Sequence, residues 1–272
     1  MQSKFIQYKN KNIHYRVAGK GRPVVLLHGM PLDGTVWDNI AGELRNNYSL
    51  IIPDIPGSGR SERLEDNARI ENYAEVVKAI LDNEHTGETC IIGHSLGGYI
   101  ALAFAEKYPE LLSGLGLFHS SAFADNEERI QVRLKAIEFI KTNGAYAFLK
   151  ALIPNLFADK QHPYIEKLIE KCKDFDAEAL IQYYEAMIAR PDRTEVLKTT
   201  TRPVLFIIGE KDTAVPMQAS LLQCHLPAIS YVHILEKDAH MGMIESAKEC
   251  AAFIISFLKN VSLTGTMTYT AF

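Results

Sequence analysis

The sequence predicts an α/β architecture, a mainly parallel sheet with an N-terminal antiparallel hairpin and a helical insertion. Three observations carry that expectation. Apolar runs at 23–27, 50–52, 89–92, 115–118, 204–208 and 231–235 each end in a glycine or proline turn, the pattern of strands covered on both faces. Helical patterns over 72–81 and 96–107 lie between them, and alternation of strands with helices builds a parallel sheet. From about 123 to 196 the alternation stops, leaving helical stretches punctuated by Gly144, Pro154, Pro163 and Pro191.

The elements follow in order. MQSKFIQYKNKNIHYRVAG alternates polar and apolar residues around an Asn-Lys-Asn turn, Asn10 to Asn12, as a hairpin does, and offers no apolar core of a secretion signal. The strand–helix alternation then fills a core over 1–122. In the helical interval 123–196, read as a cap, Ile130, Leu134, Ile137 and Ile140 recur at steps of three and four, one face of an amphipathic helix able to pack on the core. The core resumes over 197–261 and closes with an amphipathic helix at 247–259. The last residues, 262–272, are rich in threonine and lack a core pattern, so no structure is assigned to them. No repeat or low-complexity block is present.

Composition narrows the class of function. Across 272 residues, 47% are hydrophobic, enough for a large core, and 29 basic residues against 33 acidic give a net charge of -4. There is no basic field to attract nucleic acid. No uninterrupted apolar stretch approaches the roughly 18 residues of a membrane span. Cys90, Cys172, Cys224 and Cys250 lie far apart without a C-x-x-C pair, which argues against a zinc site or a disulfide framework. The expectation is a cytoplasmic enzyme, monomeric or a small homo-oligomer, acting on a small molecule without metal or organic cofactor.

One pentapeptide concentrates the chemistry. Gly93-His94-Ser95-Leu96-Gly97 fits G-x-S-x-G between an apolar run and a helical one, where the chain turns so sharply that only small neighbours let it close. The turn lifts the Ser95 hydroxyl out of the backbone and aims the N–H groups of the following helix at it. A serine hydroxyl needs a base, and the base needs a third group to fix its tautomer. Of the downstream histidines, His225 lies in a helical run and His233 inside a strand-like run. His240 lies in the loop after that strand, free to reach back, and is the candidate base.

The candidate acid is Asp212, in the loop after the strand at 204–208, where sheets of this kind gather functional groups. Glu210 is the nearest competitor, Asp125 a more remote one, and Asp238 is read as shaping its own loop. The oxyanion needs two N–H donors. Leu96 supplies one, and in His28-Gly29-Met30-Pro31 the second falls to Met30, because Pro31 has no N–H. DIPGSGRS contains a lone G-x-G without the third glycine of a dinucleotide site, so it reads as a tight turn anchored by Asp54. His28 and His94 read as hydrogen-bonded structural histidines, Trp37 as core, and His119, at the end of a strand facing the same rim, as a candidate to line the pocket.

Taken in order, HGMP, Asp54 to Ser61, GHSLGGY, GEKDTAVP and Ala239-His240 resemble the landmarks of the α/β-hydrolase fold superfamily, in its capped, esterase-like part. The resemblance spans nearly the whole chain except the cap and the tail, and implies the same roles: Ser95 nucleophile, Asp212 acid, His240 base, Met30 and Leu96 oxyanion donors. Relatives that open epoxides or displace halide carry aspartate where this chain has Ser95. The expected activity is cleavage of a small carboxylic ester or thioester through an acyl-enzyme. The same triad also serves carbon–carbon bond hydrolases, prolyl aminopeptidases and perhydrolases, and a receptor with slow hydrolysis is the reading from another class. Phe123, Phe139, Tyr146, Phe148, Phe157, Tyr164, Tyr183 and Tyr184 offer apolar wall material for the cap.

Overall fold

The structure, a computed structural model, describes residues 1–264. Among them, β1 (Gln2–Tyr8), β2 (Lys11–Ala18), β3 (Arg22–Leu27), β4 (Tyr48–Pro53), β5 (Thr89–His94), β6 (Leu112–Phe118), β7 (Val204–Gly209) and β8 (Ser230–Leu235) form one sheet in the order β1-β2-β4-β3-β5-β6-β7-β8. β1 pairs antiparallel with β2 and β2 antiparallel with β4, while every pair from β4 to β8 is parallel. The expected fold class is therefore the observed one.

The hairpin turns one residue earlier than the Asn-Lys-Asn reading. Tyr8 pairs with Lys11, and Lys9 and Asn10 take φ of 46° and 63°, the two positive values that a tight turn matched to strand twist requires.

The core helices are α1 (Asp38–Leu44), α2 (Ile70–Asn83) and α3 (Leu96–Lys107), with α8 (Met217–Leu221), α9 (Gly242–Glu245) and α10 (Ala247–Thr264) after the insertion. α1, α9 and α10 pack with one another, and α2 packs with α3. The central strands β5 and β7 are buried along their whole length, as near-continuous apolar runs demand. β8 departs from that rule. It is an edge strand whose Val232 and Ile234 are exposed, while His233 stacks on Phe253 and Tyr231 packs edge-on against Phe257 of α10. One helix covers one of its faces and the other stays partly open to solvent, so its apolar run is not evidence of two-sided burial. Residues 260–264 extend the final helix beyond the predicted end at 259. The rest of the tail lies outside the described residues.

Between β6 and β7 the chain is helical, with α4 (Glu127–Leu152), α5 (Tyr164–Lys171), α6 (Ala177–Ile188) and α7 (Thr194–Thr199). Gly144, at φ 82° and ψ 161°, breaks α4 into two helical pieces. The buried stripe of the first piece is Arg133, Ile137 and Ile140, whereas Leu134, expected on that face, is exposed. A face anchored on apolar residues alone placed the stripe one residue off, because a charged side chain occupies one of its buried positions.

Candidate active site

The site begins with backbone geometry. β5 ends at His94, and Ser95 turns the chain into α3 with φ 51° and ψ -117°, a conformation that costs a non-glycine residue on the order of 1–3 kcal/mol. Its surroundings enforce it. A Cβ on Gly93 would lie 2.1 Å from the Gly97 carbonyl oxygen, and one on Gly97 would lie 2.5 Å from that of Leu27. The Ser95 N–H donates to the Phe118 carbonyl at 3.0 Å, and the Ser120 hydroxyl donates to the Ser95 carbonyl at 2.8 Å. Gly97→Ala is expected to destabilise the fold by about 1–3 kcal/mol, since the added methyl meets backbone with no room to yield. A drop in Tm by thermal denaturation measures it, and an unchanged Tm contradicts this packing.

Asp212 follows β7 and His240 follows β8. The His240 Nδ1–H donates to Asp212 Oδ2 at 2.7 Å, and Asp212 Oδ1 accepts from the N–H groups of Ala214 and Val215 at 2.8 and 2.9 Å. Burial alone would push the Asp212 carboxyl up. The charge and hydrogen bond of His240, the nearby His119 and the Val215 N–H outweigh it, and hold the carboxyl below its usual range. The insertion clamps the His240 loop. The His240 N–H donates to the Leu156 carbonyl at 2.9 Å, and Glu245 accepts from Ala158 N–H of the insertion and from Ala239 N–H.

Ser95, Leu96, Met30 and His240 line one cavity of about 780 Å³, whose opposite wall is the insertion, with Phe139, Phe148, Leu152, Tyr184 and Met187. Of the other aromatics read as wall material, Phe157 and Tyr183 are buried in the core instead. The N–H groups of Met30 and Leu96 find no acceptor among the described residues, so both remain free to serve an oxygen in the cavity. Among the described residues no cluster of three or more His, Cys, Asp or Glu side chains is arranged to hold a metal ion.

A sequence model of the alpha/beta hydrolase family matches residues 24–253. This chain belongs to the alpha/beta hydrolase family. A thermophilic esterase from Thermogutta terrifontis is 28% identical, with a TM-score of 0.88, over 96% of this chain and 99% of its own. An enol-lactonase from Burkholderia xenovorans shares the fold at 20% identity and a TM-score of 0.86, over 94% of this chain and 100% of its own. A relative from Burkholderia vietnamiensis, a 2-hydroxy-6-oxononadienedioate/2-hydroxy-6-oxononatrienedioate hydrolase, is 26% identical over 91% of each chain.

In this alpha/beta hydrolase the competing residues go elsewhere. Glu210 is exposed. Asp125 is enclosed by arginines, and Asp238 accepts from Ser246 at 2.9 Å while its carbonyl caps Lys211, shaping its own loop. His225 lies in an exposed turn rather than a helix. His28 accepts from Ile55 N–H at 2.8 Å, Asp54 gathers the N–H groups of Gly34 and Arg60, and Trp37 is buried edge-on against Phe118, the structural parts expected of them. His94 donates from Nε2 to the His240 carbonyl at 2.9 Å, so a residue read as structural steadies the loop of the candidate base.

His119 supports the rim rather than lining the cavity. It is buried at φ 47°, with Nδ1 3.5 Å from Asp212 Oδ2 and with Gly209 and Gly242 N–H groups directed at its two ring nitrogens. The residues that sequence reasoning missed are Arg129 and Arg133 of the cavity wall. The available signal was an arginine in helical step with Ile137 and Ile140.

Burial depresses His28, His94 and His119, the last to about 3. Each folded pKa lies below the ordinary 6.5, so the unfolded chain binds more protons between the two values. The stabilisation is complete above 6.5 and is lost as pH falls through the folded values, at up to about 1.4 kcal/mol per pH unit for each imidazole. Denaturant unfolding at pH 7 and pH 4.5 is expected to show a clear loss of stability at the lower pH. Equal stability at both contradicts neutral buried imidazoles.

Proposed function

We propose that this alpha/beta hydrolase is a serine hydrolase that cleaves a small carboxylic ester or thioester. The 2.7 Å Asp212–His240 hydrogen bond, on the rim of a cavity that Ser95 also lines, carries this reading. Ser95 Oγ attacks the acyl carbon as His240 Nε2 takes its proton, and Asp212 holds the imidazole in the required tautomer and stabilises the imidazolium. The N–H groups of Leu96 and Met30 receive the oxyanion, each worth roughly 3 kcal/mol of barrier. His240 passes the proton to the leaving alcohol or thiol. Water then attacks the acyl-Ser95 carbon, gives its proton to His240, and the acid departs as Ser95 recovers a proton. The insertion acts as a cap that keeps the cavity largely apolar and shields the acyl-enzyme.

The Thermogutta terrifontis esterase supports ester cleavage, whereas the Burkholderia vietnamiensis hydrolase favours carbon–carbon cleavage as the second reading. Purified protein is expected to hydrolyse p-nitrophenyl acetate and butyrate, or an acyl thioester, through many turnovers, and to leave a vinylogous diketone essentially intact. Steady cleavage of the diketone without ester or thioester turnover contradicts the proposal in favour of the second reading. Tight binding with a single turnover identifies a receptor instead.

A further inference from the structure

The cavity wall carries more positive charge than its apolar surroundings need. Asp125, its side chain 1% exposed, pairs with Arg133 Nε at 2.5 Å, with Arg190 Nη2 at 2.8 Å and with Arg129 Nε at 3.7 Å. One carboxylate thus faces three guanidiniums; Arg129 is 39% exposed and open to solvent, which leaves one surplus positive charge between the buried Arg133 and Arg190. Two of the three have further oxygen partners. Arg190 donates to the Met187 and Phe123 carbonyls and lies 4.0 Å over the Tyr99 ring, and Arg129 donates to the Ala214 carbonyl.

Arg133 is less well provided. Its Nε and Nη2 both go to Asp125 and its guanidinium lies 5.9 Å from the Tyr184 ring centroid, which leaves Nη1 with the Met187 thioether, at 3.2 Å, as its one hydrogen-bond partner among the described residues, a weak acceptor. Both Arg133 and Met187 line the cavity that Ser95 lines, and Arg133 is buried. Burying a guanidinium short of acceptors is costly, and an apolar side chain of similar length would fill the stripe with Ile137 and Ile140 at lower cost. The other charged wall residues, Glu128 and Lys135, are exposed and opposite in sign, so they do not offset the interior surplus.

We infer that the cavity takes an ester that also carries a free carboxylate, which Arg133 receives through Nη1 while the ester carbonyl lies at Ser95. This rests on the ester reading above and adds the substrate class. Arg133 is a specificity-determining residue, and the apolar wall between the two ends accommodates a short methylene chain.

Two isosteric pairs test it and locate the carboxylate. Monomethyl glutarate against methyl 5-methylhexanoate places the charge on the acyl side, and 4-acetoxybutanoate against 4-methylpentyl acetate places it on the alcohol side. At least one charged ester is expected to exceed its neutral isostere in kcat/KM on the order of tenfold, and Arg133→Gln is expected to lower that charged-to-neutral ratio by a similar factor. Neutral esters turned over as well as both charged ones, or a ratio indifferent to Arg133→Gln, overturns the inference while leaving the ester reading intact. No turnover of any of the four contradicts the ester reading itself. Calorimetric titration of the Ser95→Ala protein with the same four compounds then decides the inference without chemistry, and also covers the case in which Arg133→Gln fails to fold. Tighter binding of a charged ester supports it, and equal or weaker binding of both overturns it.

Discussion

Ser95→Ala and His240→Ala are each expected to lower kcat for ester hydrolysis by about 10⁴ to 10⁶-fold, with Tm nearly unchanged for Ser95→Ala. Ser95 sits on a turn whose strain is imposed by Gly93, Gly97 and the Leu27 carbonyl, not by its own hydroxyl, so alanine keeps the turn and loses only the proposed nucleophile. The donors at Met30 and Leu96 remain, and account for residual rate above water. In the proposed mechanism nucleophile and base act as one unit, so the double variant is expected to be no slower than the slower single one. Multiplicative losses in the double variant contradict a shared proton transfer between Ser95 and His240.

Asp212→Asn is expected to lower kcat by about 10⁴-fold with little change in KM. Asp212 Oδ1 is already engaged by two backbone N–H groups, which leaves Oδ2 for His240. In asparagine the amide nitrogen falls on the His240 side and presents hydrogens to Nδ1, which favours the tautomer with its proton on Nε2, unable to accept from Ser95. Glu210→Gln is the control, expected within a factor of two of the native rate because Glu210 is exposed. A silent Asp212→Asn with a crippling Glu210→Gln contradicts the acid assignment.

Strand ends were legible because local chemistry marks them. The glycines around Ser95, Gly209 before the Asp212 loop and the turn at Met30 each sit where a parallel strand delivers its loop to the same rim, so residues more than a hundred positions apart could be placed together. Features decided by tertiary neighbours were less legible. β8 resembles a buried strand in its composition, yet its place at the sheet edge leaves Val232 and Ile234 exposed. His119 ends a strand facing the rim, but the approach of Gly209 and Gly242 seals it behind Asp212. Arg133 was hidden for another reason. Its meaning comes from Asp125, eight residues earlier, and from Arg190 and Met187, which only the folded insertion brings beside it.

The proposed activation of Ser95 by His240 is open to direct measurement by reaction with a fluorophosphonate, followed by intact-mass measurement and peptide mapping. One adduct per chain is expected, on the peptide containing Ser95, absent in Ser95→Ala and strongly slowed in His240→Ala. An adduct on another residue, or labelling of Ser95 at the native rate without His240, contradicts it.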